Sequence, residues 1–179
     1  MVLHATFGNF AFAIAARVLG LRDLGPAISP FNAFLILTGI ETLPLRMQRH
    51  SDNAIAVAKW LKAHSKIAWV NYAGLDDDPN HVLQQRYSPK GAGSVFTFGV
   101  EGGYEAGKTL VEGLQLFSHL ANIGDTRSLV IHPASTTHRQ LSDEQKIAAG
   151  AGPDVVRLSV GIEDVKDIIA DLEQALSKI

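Results

Sequence analysis

In Val155-Val156-Arg157-Leu158-Ser159-Val160-Gly161 an arginine interrupts an otherwise apolar, strand-like run. Strand alternation puts Val155, Arg157 and Ser159 on one face and Val156, Leu158 and Val160 on the other. A buried, unpaired charge costs on the order of several kcal/mol, so Arg157 must find a carboxylate, a phosphate or water. Its planar fork suits a carboxylate, which it can grip through two parallel hydrogen bonds. Asp154, Glu163 and Glu144 are the acids within the chain that could serve, and spacing alone favours such an internal pair.

Two other stretches carry residue types with chemical potential. Gly102-Gly103-Tyr104-Glu105-Ala106-Gly107-Lys108-Thr109 satisfies the P-loop pattern G-x-x-x-x-G-K-[ST], with a strand expected before it and a helix after it. Glu101 and Glu105 would repel a polyphosphate, and no later strand ends in an acid able to hold Mg²⁺. Too little chain follows for the βα units of such folds. The match is therefore read as a charged strand-to-helix turn with a solvated Lys108. Asn122 to Ser142 gathers His132, His138 and several hydroxyl side chains. It lacks two histidines at helical i, i+4 spacing and a G-x-S-x-G elbow, so neither a metal site nor a serine hydrolase is expected.

The elements that must position these residues follow from periodicity. Phe10, Ala11, Ile14, Ala15 and Val18 fall at helical spacing, with Gly20 as the expected stop. Ser29-Pro30 reads as a cap followed by a first helical residue, opening a long helical stretch from Phe31 to His64 that Pro44 interrupts. A strand over Lys66–Gly74, a short helix over His81–Tyr87 and a strand over Ser94–Val100 come next. A helix follows from Gly103 with Leu110, Val111, Leu114 and Phe117 on one stripe, then a strand over Ser128–His132. Ser142 and Gln145 form a capping-box pattern, Asp154–Gly161 is a strand, and a helix from Glu163 closes the chain. Interleaved helices and strands predict an α/β or α+β layered domain.

Composition narrows the function classes. The chain has 179 residues, a net charge of −2 and no cysteine. Disulfides, thiolate metal sites and thiol nucleophiles are excluded. The charge gives no reason to expect nucleic acid or an anionic membrane as partner. No apolar run reaches the roughly 20 residues that span a bilayer. No Lys or Arg precedes Arg17, which argues against a secretory signal, and a cytoplasmic location is expected.

Three stretches together resemble the pyridoxal-phosphate-dependent enzymes of cysteine and methionine metabolism: LRDLGPAISPFNAFLILTGIETLPLRMQRH, ANIGDTRSLVIHPASTTHRQLS and VVRLSVGIEDVKDIIADLEQAL. The resemblance runs from about Phe7 to the end of the chain. HPASTTH and SHLANIGD are most similar to the O-acetylhomoserine sulfhydrylase branch. A cystathionine γ-synthase or methionine γ-lyase branch, or a non-catalytic oligomerisation domain, remains an alternative. The resemblance implies an α/β fold, the α+β-like C-terminal domain of fold-type I pyridoxal phosphate enzymes. That is a small sheet with helices packed on one face, plus a long linking helix. It divides the chain into 1–28, a remnant of the large cofactor-binding domain; 29–64, linking helices; and 65–179, the small domain.

Family members are much longer, so this chain is expected to be the C-terminal part. None of Lys59, Lys62, Lys66, Lys90, Lys108, Lys146, Lys166 and Lys178 lies in the S-x-x-K setting of the family's Schiff-base lysine. The resemblance thus implies pyridoxal 5'-phosphate for the full enzyme, not bound covalently to this chain, and no catalytic residue or metal here. Arg157 matches the arginine that grips the substrate's α-carboxylate, which reverses the preference for an internal ion pair. Asn122 matches a second contact to that carboxylate, Thr137 lies on a loop facing the same pocket, and Arg22 and Asp23 match a pair that borders the site in some relatives. The implied substrates are O-acetylhomoserine and sulfide or a thiol, and the implied assembly is a homo-oligomer without nucleic acid or membrane.

Overall fold

The computed structural model describes residues 2–179. They form two compact units, one up to Leu43 and one from Pro44.

The first unit is helical. α1 (Val2–Phe7), a 3-10 turn (Gly8–Phe10) and α2 (Ala11–Ala15) lead into a wide π-helical segment, Ala16–Asp23. Winding continues through Gly20, contrary to the expected stop, and the chain turns at Gly25, whose φ of +72° suits a residue without Cβ. Ser29 caps α3 (Pro30–Glu41) as expected: its hydroxyl accepts from the Asn32 N–H at 3.2 Å. Phe31, Phe34, Leu35, Ile36, Leu37 and Ile40 are all exposed on α3. A helix that is apolar on every side is built for the interior of a larger body.

One residue, Thr42, separates α3 from α4 (Leu43–Ala63), so the expected linking stretch is two helices. They fall in different units for a physical reason. α3 buries no residue, whereas Asn53, Ala54, Val57, Ala58 and Leu61 of α4 are buried in the second unit. Pro44 sits in the first turn of α4, where it has no N–H bond to lose.

The second unit is a five-stranded sheet with strands β1 (Ile67–Asn71), β2 (Val95–Val100), β3 (Ser118–His119), β4 (Leu129–Ile131) and β5 (Val155–Ser159). Their order is β1-β2-β5-β4-β3, antiparallel except for the β3–β4 pair. α4, α6 (Gly103–Gly113) and α8 (Val165–Leu176) pack on one face, over Phe96, Phe98, Val130, Val156 and Leu158. α5 (His81–Tyr87) and α7 (Asp143–Ala148) lie in the connections, and the capping box at Ser142 and Gln145 forms as predicted.

α6 is shorter than its apolar stripe suggested. It ends at Gly113, Leu114 is extended, and Phe117 is buried from beyond the helix. The buried Asp171 carboxylate on α8 redirects the chain, accepting the Gln115 and Leu116 N–H groups at 2.9 and 2.8 Å. The P-loop match also dissolves. β2 reaches α6 across Glu101 and Gly102 alone, so Gly107, Lys108 and Thr109 lie inside the helix with no loop left to cradle phosphate. Gly107 instead makes room for His132: a Cβ there would lie 3.0 Å from the imidazole.

Tyr72, just past β1, is buried and donates its hydroxyl to the Gly93 carbonyl at 2.7 Å. Burial pushes its pKa from 10.0 up to about 12. A raised acid pKa means stability that is whole below pH 10 and lost as pH climbs toward 12. The loss approaches about 1.4 kcal/mol per pH unit across that window. Urea titrations from pH 9 to 12 should show this alkaline arm, and Tyr72→Phe should flatten it despite a lower stability at pH 8.

Candidate functional site

Arg157 lies at the centre of β5, the middle strand, with Thr97 of β2 and Ile131 of β4 on either side. Its four strand neighbours are buried, and Arg157 alone is half-buried. Alternation works as the sequence predicted: Val156 and Leu158 face the helices, and Arg157 faces the other way. On that second face a row of residues, Asn71, Thr97, Arg157 and Ile131, crosses four strands.

Each acid within the chain that might have neutralised Arg157 is engaged elsewhere. Asp154 accepts from the Trp69 indole at 2.8 Å. Glu163 accepts from the Ser128 N–H at 2.6 Å and its hydroxyl at 2.9 Å. Glu144 lies 3.5 Å from the Ser142 hydroxyl. Among the described residues the Arg157 guanidinium has no ion pair and no hydrogen bond. Arg157 is therefore an unneutralised, half-buried cation on the face of the sheet turned away from α4, α6 and α8.

The end of β5 is fixed by a dense lock. His50, fully buried, contacts the Val160 carbonyl through Nδ1 at 2.6 Å; since a carbonyl only accepts, Nδ1 carries the proton. Asn53 donates to the carbonyls of Gly161 and Glu163 at 3.0 and 2.9 Å. The Gly161 N–H donates to Ser128 Oγ at 2.8 Å. These bonds tie β5 to α4 and to the turn before β4, and so hold the strand that carries Arg157.

Asn122 and Thr137 are exposed, on the chain that leaves β3 and β4. Because those strands run parallel, both exits are at the same end of the sheet, where Ile131 pairs with Arg157. Asn122 Oδ1 accepts the Ile123 N–H at 2.9 Å, which leaves its NH₂ to donate. The Thr137 hydroxyl lies 2.9 Å from His138 Nδ1. The three side chains Arg157, Asn122 and Thr137 are not hydrogen-bonded to one another. Arg22 and Asp23, in the first unit, form an exposed pair with each other at 2.8 Å.

His132 has a packing role. It is buried, with Nε2 2.8 Å from the Pro153 carbonyl, Nδ1 2.9 Å from Ser135 Oγ, and Tyr104 edge-on at 4.9 Å between ring centroids. No cluster of metal-ligating side chains occurs among the described residues. Nor is any described helix long and apolar enough to cross a membrane. A groove of about 690 Å³ opens elsewhere, between the first turns of α4 and residues 87–93, and Arg157 does not line it.

A model of the Cys/Met metabolism PLP-dependent enzyme family matches residues 6–177. The chain belongs to that family. It is 58% identical over 172 residues to an O-acetyl-L-homoserine sulfhydrylase of Leptospira meyeri, covering 96% of this chain and 39% of that protein. An O-acetyl-L-homoserine sulfhydrylase from Thermus thermophilus is 53% identical, covering 98% of this chain and 42% of the relative. Among solved structures, one described as an O-acetylhomoserine (thiol)-lyase from Campylobacter jejuni, with N'-pyridoxyl-lysine-5'-monophosphate, has a TM-score of 0.85 at 42% identity. It aligns over 96% of this chain and 41% of its own. The chain thus spans about two fifths of the length of the curated relatives it matches.

Among the described residues, no lysine of this Cys/Met metabolism family chain is held in the way that imine formation with the family's cofactor requires. An imine-forming lysine must be held as a neutral amine, by desolvation or a neighbouring cation. Every lysine here is exposed or half-buried. Lys62, Lys108 and Lys146 pair with Asp77, Glu112 and Asp143, while Lys66 and Lys178 bond to backbone carbonyls.

Proposed function

We propose that this chain is the C-terminal, substrate-gripping part of a pyridoxal-phosphate-dependent O-acetylhomoserine sulfhydrylase that makes homocysteine from O-acetylhomoserine and sulfide. The observation that carries the reading is Arg157: a guanidinium on the central strand, facing away from the helices, with Asp154, Glu163 and Glu144 all occupied. A bidentate hold on the α-carboxylate fixes one end of the amino acid and thereby orients its Cα–H bond and its acetyl-bearing side chain. The NH₂ of Asn122 is a donor suited to the second carboxylate oxygen, and Thr137 and His138 would border the same pocket. Imine formation belongs to residues outside this chain, and alone the chain is taken to be inactive. The exposed apolar side chains of α3 support burial against further protein, both a cofactor-binding domain and a second copy in a homo-oligomer. A cytoplasmic enzyme is part of the same reading.

Grafting provides the test. This chain would replace the matching 172 residues of the Leptospira meyeri relative. The purified graft, loaded with pyridoxal phosphate, should form homocysteine from O-acetylhomoserine and sulfide at within about tenfold of the parent's rate. A folded, cofactor-loaded graft that makes no homocysteine would count against the proposal. Turnover with cysteine instead of sulfide, or elimination from methionine, would move it to a neighbouring branch.

A further inference from the structure

Resting on the reading of Arg157 as the carboxylate grip, we infer that Thr97 is a further substrate-binding residue, whose hydroxyl donates to the same carboxylate. The register between β2 and β5 sets Thr97 directly opposite Arg157. Side chains opposite one another in an antiparallel pair have Cβ atoms about 5 Å apart, close enough for both to touch one carboxylate. On the other flank of Arg157 stands Ile131, buried and apolar. The polar side of the guanidinium's surroundings is therefore the β2 side.

Two other polar groups near Arg157 on this face, the Trp69 indole and the Ser159 hydroxyl, are already committed or withdrawn. The Trp69 indole N–H is used by Asp154, and the ring lies across Gly99, where a Cβ would collide with it. Ser159, two residues along β5, is buried with its hydroxyl unpartnered, beside Val95 and Leu129. Thr97 is half-buried, and its hydroxyl has no hydrogen bond among the described residues. A hydroxyl can accept from a guanidinium N–H and donate its own proton onward, as a carboxylate held by Arg157 requires. Asn71, exposed at the outer end of the row, extends the polar strip to the sheet edge. Threonine also favours strands for reasons of packing alone, so the test must separate hydroxyl from shape.

Thr97→Val keeps the shape and β-branching but removes the hydroxyl; Thr97→Ser does the reverse. In the grafted enzyme, Thr97→Val should raise KM for O-acetylhomoserine about tenfold, the scale of a lost hydrogen bond to a charged group, with kcat within about twofold. Thr97→Ser should stay within about threefold of the parent in KM, and Tm of both variants should lie near the parent's. Should Thr97→Val fold poorly, Thr97→Ala against Thr97→Ser gives the same comparison. A KM unchanged by loss of the hydroxyl, or raised equally by Val and Ser, would overturn the inference. Arg157→Ala is measured alongside. If it raises KM while Thr97→Val does not, only the role of Thr97 fails. If Arg157→Ala has no effect, the reading of the whole site fails with it.

Discussion

Arg157→Ala in the grafted enzyme should raise KM for O-acetylhomoserine about 100-fold, roughly 2.7 kcal/mol of lost binding, while kcat should fall by less than about tenfold. The asymmetry follows from what the side chain does. A grip on the carboxylate is made in the ground state and kept in the transition state, so most of its loss appears in KM. The smaller loss in kcat reflects rotamers that a free carboxylate end allows and the grip forbids. Arg157→Lys should recover only part of the affinity, because an ammonium keeps the charge but not the two-pronged fork. Removing Arg157 should leave stability almost unchanged or improve it, since no partner in the chain loses a bond. A KM equal to the parent's, or a variant that fails because it unfolds, would place Arg157 in the scaffold.

The second large effect is structural. Gly161→Ala should destabilise the fold by about 3 kcal/mol or more, a large share of a typical stability of about 5–15 kcal/mol. A Cβ at this position would run into the Glu163 carboxylate and come within 2.5 Å of both the Ser128 nitrogen and the Thr126 carbonyl oxygen. Two of these obstacles are backbone, so no side-chain rotation relieves them. The same atoms hold the lock: Gly161 N–H to Ser128 Oγ, Ser128 to Glu163, and the Ile162 N–H to the Thr126 carbonyl at 2.9 Å. Gly39→Ala is the control, because a Cβ there meets nothing within 4 Å in the helix α3. Urea midpoints should fall sharply for Gly161→Ala and hold for Gly39→Ala. Equal midpoints would mean that the turn can open without cost.

Period-two alternation makes Arg157 legible in the sequence alone, because a strand sorts its side chains by parity and one charge among valines and leucines stands out. The caps at Ser29 and Ser142 were legible for a similar reason: each is a local bond between residues three apart. What escaped the sequence depends on residues distant in the chain. The end of α6 is set by Asp171, 56 residues beyond Gln115, while the apolar stripe continues past it to Phe117. The acids that might have paired with Arg157 were visible, but their commitments to Trp69 and Ser128 were not, because both bonds close over long separations. Thr97 shows the same limit. Alternation in Val95–Val100 puts it opposite Phe96 and Phe98, yet only the strand register sets it beside Arg157.

The central claim is that Arg157 recognises the charge of a substrate carboxylate. The most direct measurement compares O-acetylhomoserine with its methyl ester, which lacks that charge, in the grafted enzyme and its Arg157→Ala variant. The parent should prefer the acid by about 100-fold in kcat/KM, and the variant's preference should shrink to within about fivefold of unity. A variant that keeps the parent's full preference for the acid would contradict the account.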